Sequence, residues 1–284
     1  MNSDRLTIYE PDTRHKIGFL KVWAIMFRNI IMSRELIYQL FKRDFIMAYK
    51  KSFLGIGWIL LQPIIGIISW VFMNKTGVLQ PGDVGIPYPA YVLLSTSIWG
   101  LFVGFFTSAS ETLGAGAGFI LQVKFPHEAL LIKQTAQQVA NFIVGFALTI
   151  AVLVFFGVVP DWKTALLPVL VLPLFFLGAG IGLMVSMINV VAVDIQKGSA
   201  IIIQILMYFT PVVYSPKVSS PLLQKIIAWN PLTYLVGGVR DLIIYGRMDF
   251  VDRYLYAAAF SFIIFMLSWR LFFVSEDKVI EKII

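Results

Sequence analysis

The sequence predicts an all-α polytopic membrane protein. It should have six transmembrane helices, an N-terminal amphipathic interface helix, and a broken external helical segment between helices five and six. Three observations carry this. Of 284 residues, 58% are hydrophobic and 14% charged, against roughly 45–50% and about 25% in soluble domains. Mean hydropathy is +0.82. The apolar residues also fall in long runs, close to the ~20 residues a helix needs to cross a ~30 Å hydrocarbon core. A soluble enzyme domain, a disordered chain and a fibrous repeat are excluded. An outer-membrane barrel would show alternating segments of about ten residues instead. With no Cys there is no disulfide framework, thiol nucleophile or Cys metal site.

Residues 1–33 are mixed and read as an N-terminal cytoplasmic extension, with no signal-peptide pattern. Gly18 to Ile31 has the pattern of a short amphipathic helix carrying Trp23, Phe27 and Ile30. In 34–51, Leu36, Ile37, Leu40, Phe41 and Ala48 recur near helical spacing among charged residues, as in a helix lying in the interface plane. The spans follow: Phe53 to Met73, with a kink expected at Gln62-Pro63; Ile86 to Ala109; Ala136 to Val159; Ala165 to Val193; a short one from Ser199 to Val213; and Tyr254 to Val274. Gly178, Gly180 and Gly182 in the fourth permit close helix packing. Between 214 and 253, prolines and the Gly237-Gly238 pair interrupt an apolar stretch, which predicts two short external helices rather than a seventh span. Residues 34–284 thus read as one transmembrane domain.

Six spans place both termini on one side. That side collects sixteen of the 23 Lys and Arg residues, ten of them in 1–52, and the other side seven. Positive charge accumulates in the cytoplasm, so the termini are expected there.

Chemistry inside the spans is sparse. Ion-coupled carriers place ionisable residues in the membrane, whereas here Glu111 and Asp194 stand only at span ends and His occurs only at 15 and 127. Asn141 and Asn189 read as interhelical hydrogen-bonding residues. Gly114, Gly116 and Gly118 are not followed by Gly-Lys-Ser/Thr, so they form no phosphate loop. No metal motif and no cofactor is expected in this chain. Uphill transport would have to draw its energy from a partner.

Five short pieces stand in order along the chain. They are Arg43-Asp44 followed by Tyr49-Lys50-Lys51-Ser52-Phe53-Leu54-Gly55, Trp58 and Pro63; Lys124-Phe125-Pro126; Asn189 to Asp194-Ile195; Thr210-Pro211-Val212-Val213-Tyr214; and Asn230-Pro231-Leu232 with Arg240-Asp241. Over roughly 34–275 the chain resembles the permease subunits of ABC-2 type exporters, in particular those of lipid-linked polysaccharides (O-antigen, capsule, teichoic acid). It departs from them at Ala192-Val193, where the family often has an aromatic-Arg pair.

The resemblance implies a homodimer in the bacterial inner membrane bound to two cytoplasmic ABC ATPases, which would bind ATP and Mg. It implies an undecaprenyl-linked glycan as substrate, a membrane-lipid environment and no nucleic acid. The ATPase-coupling residues would be Arg43, Asp44, Gln122, Lys124, Phe125, Pro126, His127, Glu128 and Asp194, with 119–130 as a coupling helix. Sugar rings present apolar C–H faces that aromatic side chains complement. That suggests Tyr91, Trp99, Phe102, Phe106, Tyr208 and Phe209 as channel lining, against the alternative of an interfacial aromatic belt. Tyr214, Trp229, Asn230, Pro231, Arg240 and Asp241 would form an external gate, with Arg240 and Asp241 either meeting the departing substrate or making a structural contact. O-antigen export is the leading reading. Teichoic acid or capsule export and ABC-2 export of a small lipid or drug stay open. A membrane-embedded glycan transferase would need catalytic carboxylates or His near an interface, and the chain offers few.

Overall fold

The structure is a computed structural model that describes residues 18–50, 52–113, 126–189, 192 and 194–283. Among these the chain is helical, without strands. In order come α1 (Phe19–Met32), α2 (Arg34–Lys50), α3 (Gly57–Lys75), α4 (Tyr88–Ser110), α5 (Glu128–Phe155), a 3₁₀ turn (Trp162–Leu166), α6 (Leu167–Leu170), α7 (Leu172–Asn189), α8 (Asp194–Leu206), a 3₁₀ turn (Met207–Phe209), α9 (Pro221–Trp229), α10 (Pro231–Tyr245) and α11 (Val251–Ile283).

Five helical stretches are long and apolar enough to cross a membrane: α3, α4, α5, the run Trp162–Asn189 and the Val251–Ser275 part of α11. The chain is a multi-pass membrane protein. The expected fifth span differs most from its sequence reading. It starts at Asp194 and leaves the helix at Thr210, which is extended at φ −117° and ψ 130°. The residue before a proline is pushed out of the α region, and Pro211 follows. Helix and 3₁₀ turn together rise only about 26 Å. The fourth run is broken near Val171, where Pro173 withholds an N–H. Pro63 lies inside a continuous α3.

The centre of the bundle is α7, and glycine sets its spacing. A Cβ on Gly178 would lie 2.9 Å from the Phe102 carbonyl oxygen, and one on Gly182 would overlap the Phe106 carbonyl of α4. A Cβ on Gly180, on the other side of α7, would lie 3.1 Å from Phe265 Cα in α11. The helix is thus clasped on two faces at once. α4 lies deepest, with sixteen buried residues; α3 has none and rests on α4 and α5 at the edge.

At one end of the bundle α1 packs on the C-terminal half of α11. Val22 and Met26 join Leu113, Leu131 and Phe272 in a cluster, and Trp23 meets Trp269 edge-on at 5.5 Å. At the other end the loop before α4, the segment 210–215, α9 and α10 form a folded cap over the helix ends.

Candidate functional site

The cap is built on segment 210–215, which leaves α8 without regular hydrogen bonds and is pinned from three sides. Tyr88 donates its hydroxyl to the Val213 carbonyl at 3.0 Å. Tyr91, one helical turn later on α4, donates to the Tyr214 carbonyl at 2.9 Å. From α10, Arg240 Nη1 donates to the Tyr91 hydroxyl at 2.7 Å and to the Pro211 carbonyl at 3.1 Å, while the guanidinium lies 4.7 Å over the Tyr91 ring. Its Nε donates to Asp241 at 3.1 Å. Ser215 N–H donates to the Pro81 carbonyl at 2.7 Å, which ties in the loop before α4.

Asn230 holds the third side. Its carbonyl oxygen accepts from Leu232 N–H and caps α10, with Pro231 at the first helical position. Its amide donates to Thr210 Oγ1 at 2.8 Å and to the Phe209 carbonyl at 3.1 Å. The Asn230-Pro231 corner therefore also fixes where α8 ends. Gly246 closes α10 at φ 66° and accepts from Lys163 Nζ at 2.6 Å.

The opposite end has its own junction. Asp44 on α2 accepts from Arg43 Nε and from Lys133 Nζ of α5, both at 2.8 Å. Partial burial acts to raise the Asp44 pKa. The bonds and charges of Arg43 and Lys133 outweigh it and hold the carboxyl below its ordinary value. Nearby, Asn189 donates to Gln196, which donates to Glu111, linking the ends of α7, α8 and α4.

The expected site residues separate into groups. Gln122, Lys124 and Phe125 lie outside the described residues. Pro126 is half-buried before α5, and His127 and Glu128 are 2% and 1% exposed at its start. Arg43 is exposed, and Asp194 opens α8 at the surface.

Four expected channel residues need correcting. Tyr91, Trp99, Phe102 and Phe106 sit in the core of the single chain, at most 5% exposed, because α4 is enclosed by α7, α5 and α10. Tyr208 and Phe209 are exposed at the end of α8. Of the two readings left open for Arg240, the structure shows the structural contact, with the side chain buried and bonded to Asp241, while Trp229 at the end of α9 is exposed. Tyr214 donates its hydroxyl to the Tyr208 carbonyl.

Sequence reasoning missed the roles of Tyr88, Lys133 and Gln196. Lys133 did carry a signal, since a lysine at the edge of an apolar run either snorkels to water or takes an acidic partner, here Asp44.

The whole arrangement can act as a link. α8 ends in a segment held by α4 and α10, and α2 is held to α5 at the far end of the bundle. The sequence has relatives among known proteins. One similar protein is the O-antigen export system permease protein RfbA of Myxococcus xanthus, 24% identical over 265 residues that cover 90% of this chain and 98% of that one. A protein of the same name from Klebsiella pneumoniae is 22% identical over 219 residues, 76% of this chain and 83% of that one. The ABC-2 type transporter family profile matches residues 35–244, from the start of α2 almost to the end of α10. That stretch contains both junctions and the cap, and with it matched the chain belongs to the ABC-2 type transporter family.

Proposed function

We propose that this chain is the permease subunit of an exporter that moves a lipid-linked polysaccharide, O-antigen above all, across the bacterial inner membrane. ATP would be hydrolysed, with Mg, in two cytoplasmic ABC ATPase subunits bound to a homodimer of this chain. Both termini would be cytoplasmic, so the α2 end meets the ATPases and the cap faces outward. The observation that carries the reading is the end-to-end likeness to the M. xanthus permease, 98% of whose length is covered.

The geometry supports it. Arg43, Asp44 and Asp194 stand on helices that begin or end at the α2 end, where an ATPase would push. α3 has no buried residue, and α8 exposes Tyr208 and Phe209. These two helices suit the seam between two copies, where a glycan would pass.

The test is to co-express the chain with an ABC ATPase encoded beside it, purify the complex, and measure ATP hydrolysis with and without undecaprenyl-linked glycan. Hydrolysis in the complex that rises with the glycan is expected. A chain that binds no ATPase overturns the reading.

A further inference from the structure

Between the α9–α10 corner and the first turns of α11 lies an open groove of about 1110 Å³. Small-molecule sites commonly enclose roughly 300–1,000 Å³. The cap's hydrogen bonds to segment 210–215 do not use this groove. Trp229, at the end of α9, is 82% exposed, and Tyr256, on α11, is 76% exposed; both line it. An aromatic belt residue needs only an interface beside it. Here three charged side chains, Asp249, Asp252 and Arg253, line the same groove.

The polar part is preorganised. Tyr234 donates its hydroxyl to the Ala228 carbonyl at 2.8 Å and accepts from Arg253 Nη1 at 3.1 Å. The Arg253 guanidinium also lies 5.6 Å over the Tyr234 ring. One side chain thus fixes the corner and aims the arginine. A second cavity of about 410 Å³ shares Tyr234, Asp249 and Arg253 and continues to Arg240 and Asp241, so an occupant of the groove adjoins the residues that hold segment 210–215.

Exposed aromatic faces beside carboxylates and a guanidinium are what a sugar ring requires. Its C–H face lies on an aromatic ring, its hydroxyls donate to carboxylates, and its oxygens accept from arginine. Charge narrows the choice. Among the side chains lining the groove itself, two carboxylates to one guanidinium leave it net negative, which disfavours a pyrophosphate or a uronic acid there. Lys217 and Arg240 line only the adjoining cavity, together with Asp241.

We propose that this groove is an external binding subsite for neutral saccharide rings, with Trp229 and Tyr256 against ring faces and Asp249, Asp252 and Arg253 on hydroxyls. The subsite rests on the glycan-export reading and adds to it a place where the emerging chain is held.

The test is saturation-transfer NMR on the purified full chain in polymer-bounded nanodiscs, which avoids sugar-headed detergents. The probes are mannotriose, maltotriose, glucuronate and inorganic pyrophosphate. Transfer to the neutral trisaccharides is expected. Trp229→Ala and Tyr256→Ala should each weaken their binding about tenfold, while Trp229→Phe, which keeps a ring face, restores most of it. Phe155→Ala, at an exposed position on α5, should leave binding unchanged. Matching thermal unfolding of variants and wild type ties any loss to the groove.

Three results would each overturn the subsite: no transfer to either trisaccharide in the wild type, binding unmoved by both alanine variants, or preference for pyrophosphate or glucuronate. Cross-linking of two copies through Trp229→Cys would also overturn it, by placing a second chain in the groove. The measurement uses no ATPase. Loss of the subsite therefore leaves the export reading standing, and failure of ATPase binding leaves the sugar result standing.

Discussion

Arg240 of α10 grips Tyr91 of α4 twice, through a 2.7 Å hydrogen bond to the hydroxyl and by lying over the ring. Both residues also reach the backbone of segment 210–215. A glycan channel suggested that Tyr91 met substrate; in the fold it meets an arginine. Arg240→Ala should cost on the order of 3 kcal/mol, since removing one member of a buried charged network leaves the others unpaired. Arg240→Lys should recover little, because a point charge cannot satisfy Tyr91, Pro211 and Asp241 together. Thermal unfolding in detergent measures both. A lysine variant as stable as wild type would show that charge alone suffices.

Asn230 both caps α10 and ties down Thr210. The two roles separate by substitution. Asn230→Asp keeps the cap acceptor and loses the amide donor, whereas Asn230→Ala loses both. Alanine should cost about 1–2 kcal/mol and aspartate less. In an ATPase complex, both variants should lower glycan-stimulated hydrolysis if the end of α8 transmits motion. Equal loss of stability in the two variants would assign the whole effect to the amide's tie to Thr210 and Phe209, because aspartate keeps the cap.

Asp44 and Lys133 form the tie between α2 and α5. Solvent reaches Asp44, so the coupling measured in an Asp44→Asn, Lys133→Met double-mutant cycle should be about 1 kcal/mol. Its pH dependence follows from the direction of the Asp44 shift. A carboxyl held below its ordinary value, ~3.9 in the unfolded chain, contributes fully above that pH. The contribution is lost as pH falls through the lower folded value. Wild type and Asp44→Asn should therefore differ by a constant amount in unfolding temperature between pH 5 and 8 and converge only in more acidic solution. Convergence on the alkaline side would contradict the assignment.

Gly182 is a point where α4 leaves no room for a side chain on α7. Alanine there would place Cβ against the Phe106 carbonyl and 2.7 Å from Ala109 Cβ, at a cost of about 1–3 kcal/mol. Gly66→Ala on α3, where a Cβ meets nothing within 4 Å, should be neutral or stabilising by up to about 1 kcal/mol. Unfolding midpoints of the two variants give the comparison directly.

Elements were legible where local chemistry sets them. The two N-terminal helices, the glycine contacts of α7 and the corner at Asn230-Pro231 all follow from spacing, close approach and proline geometry. The end of α8 was legible to within a residue or two because Pro211 marks it, whereas its start, at Asp194 rather than Ser199, lies in a polar stretch that the apolar run does not reveal. The faces of α4 were not legible. In a membrane an apolar face meets lipid or protein alike, as α3 with no buried residue and α4 with sixteen show, so nothing in the periodicity of α4 separates a wall residue from a core residue. Long-range partners were hidden for a related reason: Tyr91 and Arg240 are 149 positions apart, and only the folded chain brings them together. Trp229 could be read as exposed beside a corner, but its neighbours on α11 could not.

The glycine clasp on α7 has a mechanical consequence. Helices whose backbones approach this closely leave little room for relative displacement, so α4, α7 and α11 are expected to move as one body. Any stroke this protein makes would then fall to the more loosely packed α3 and to the first turns of α8, since the far end of α8 and the cap are bonded to α4. Spin-label pairs spanning α4 and α11 should keep one distance through a full turnover, while pairs from α8 to α4 record the stroke.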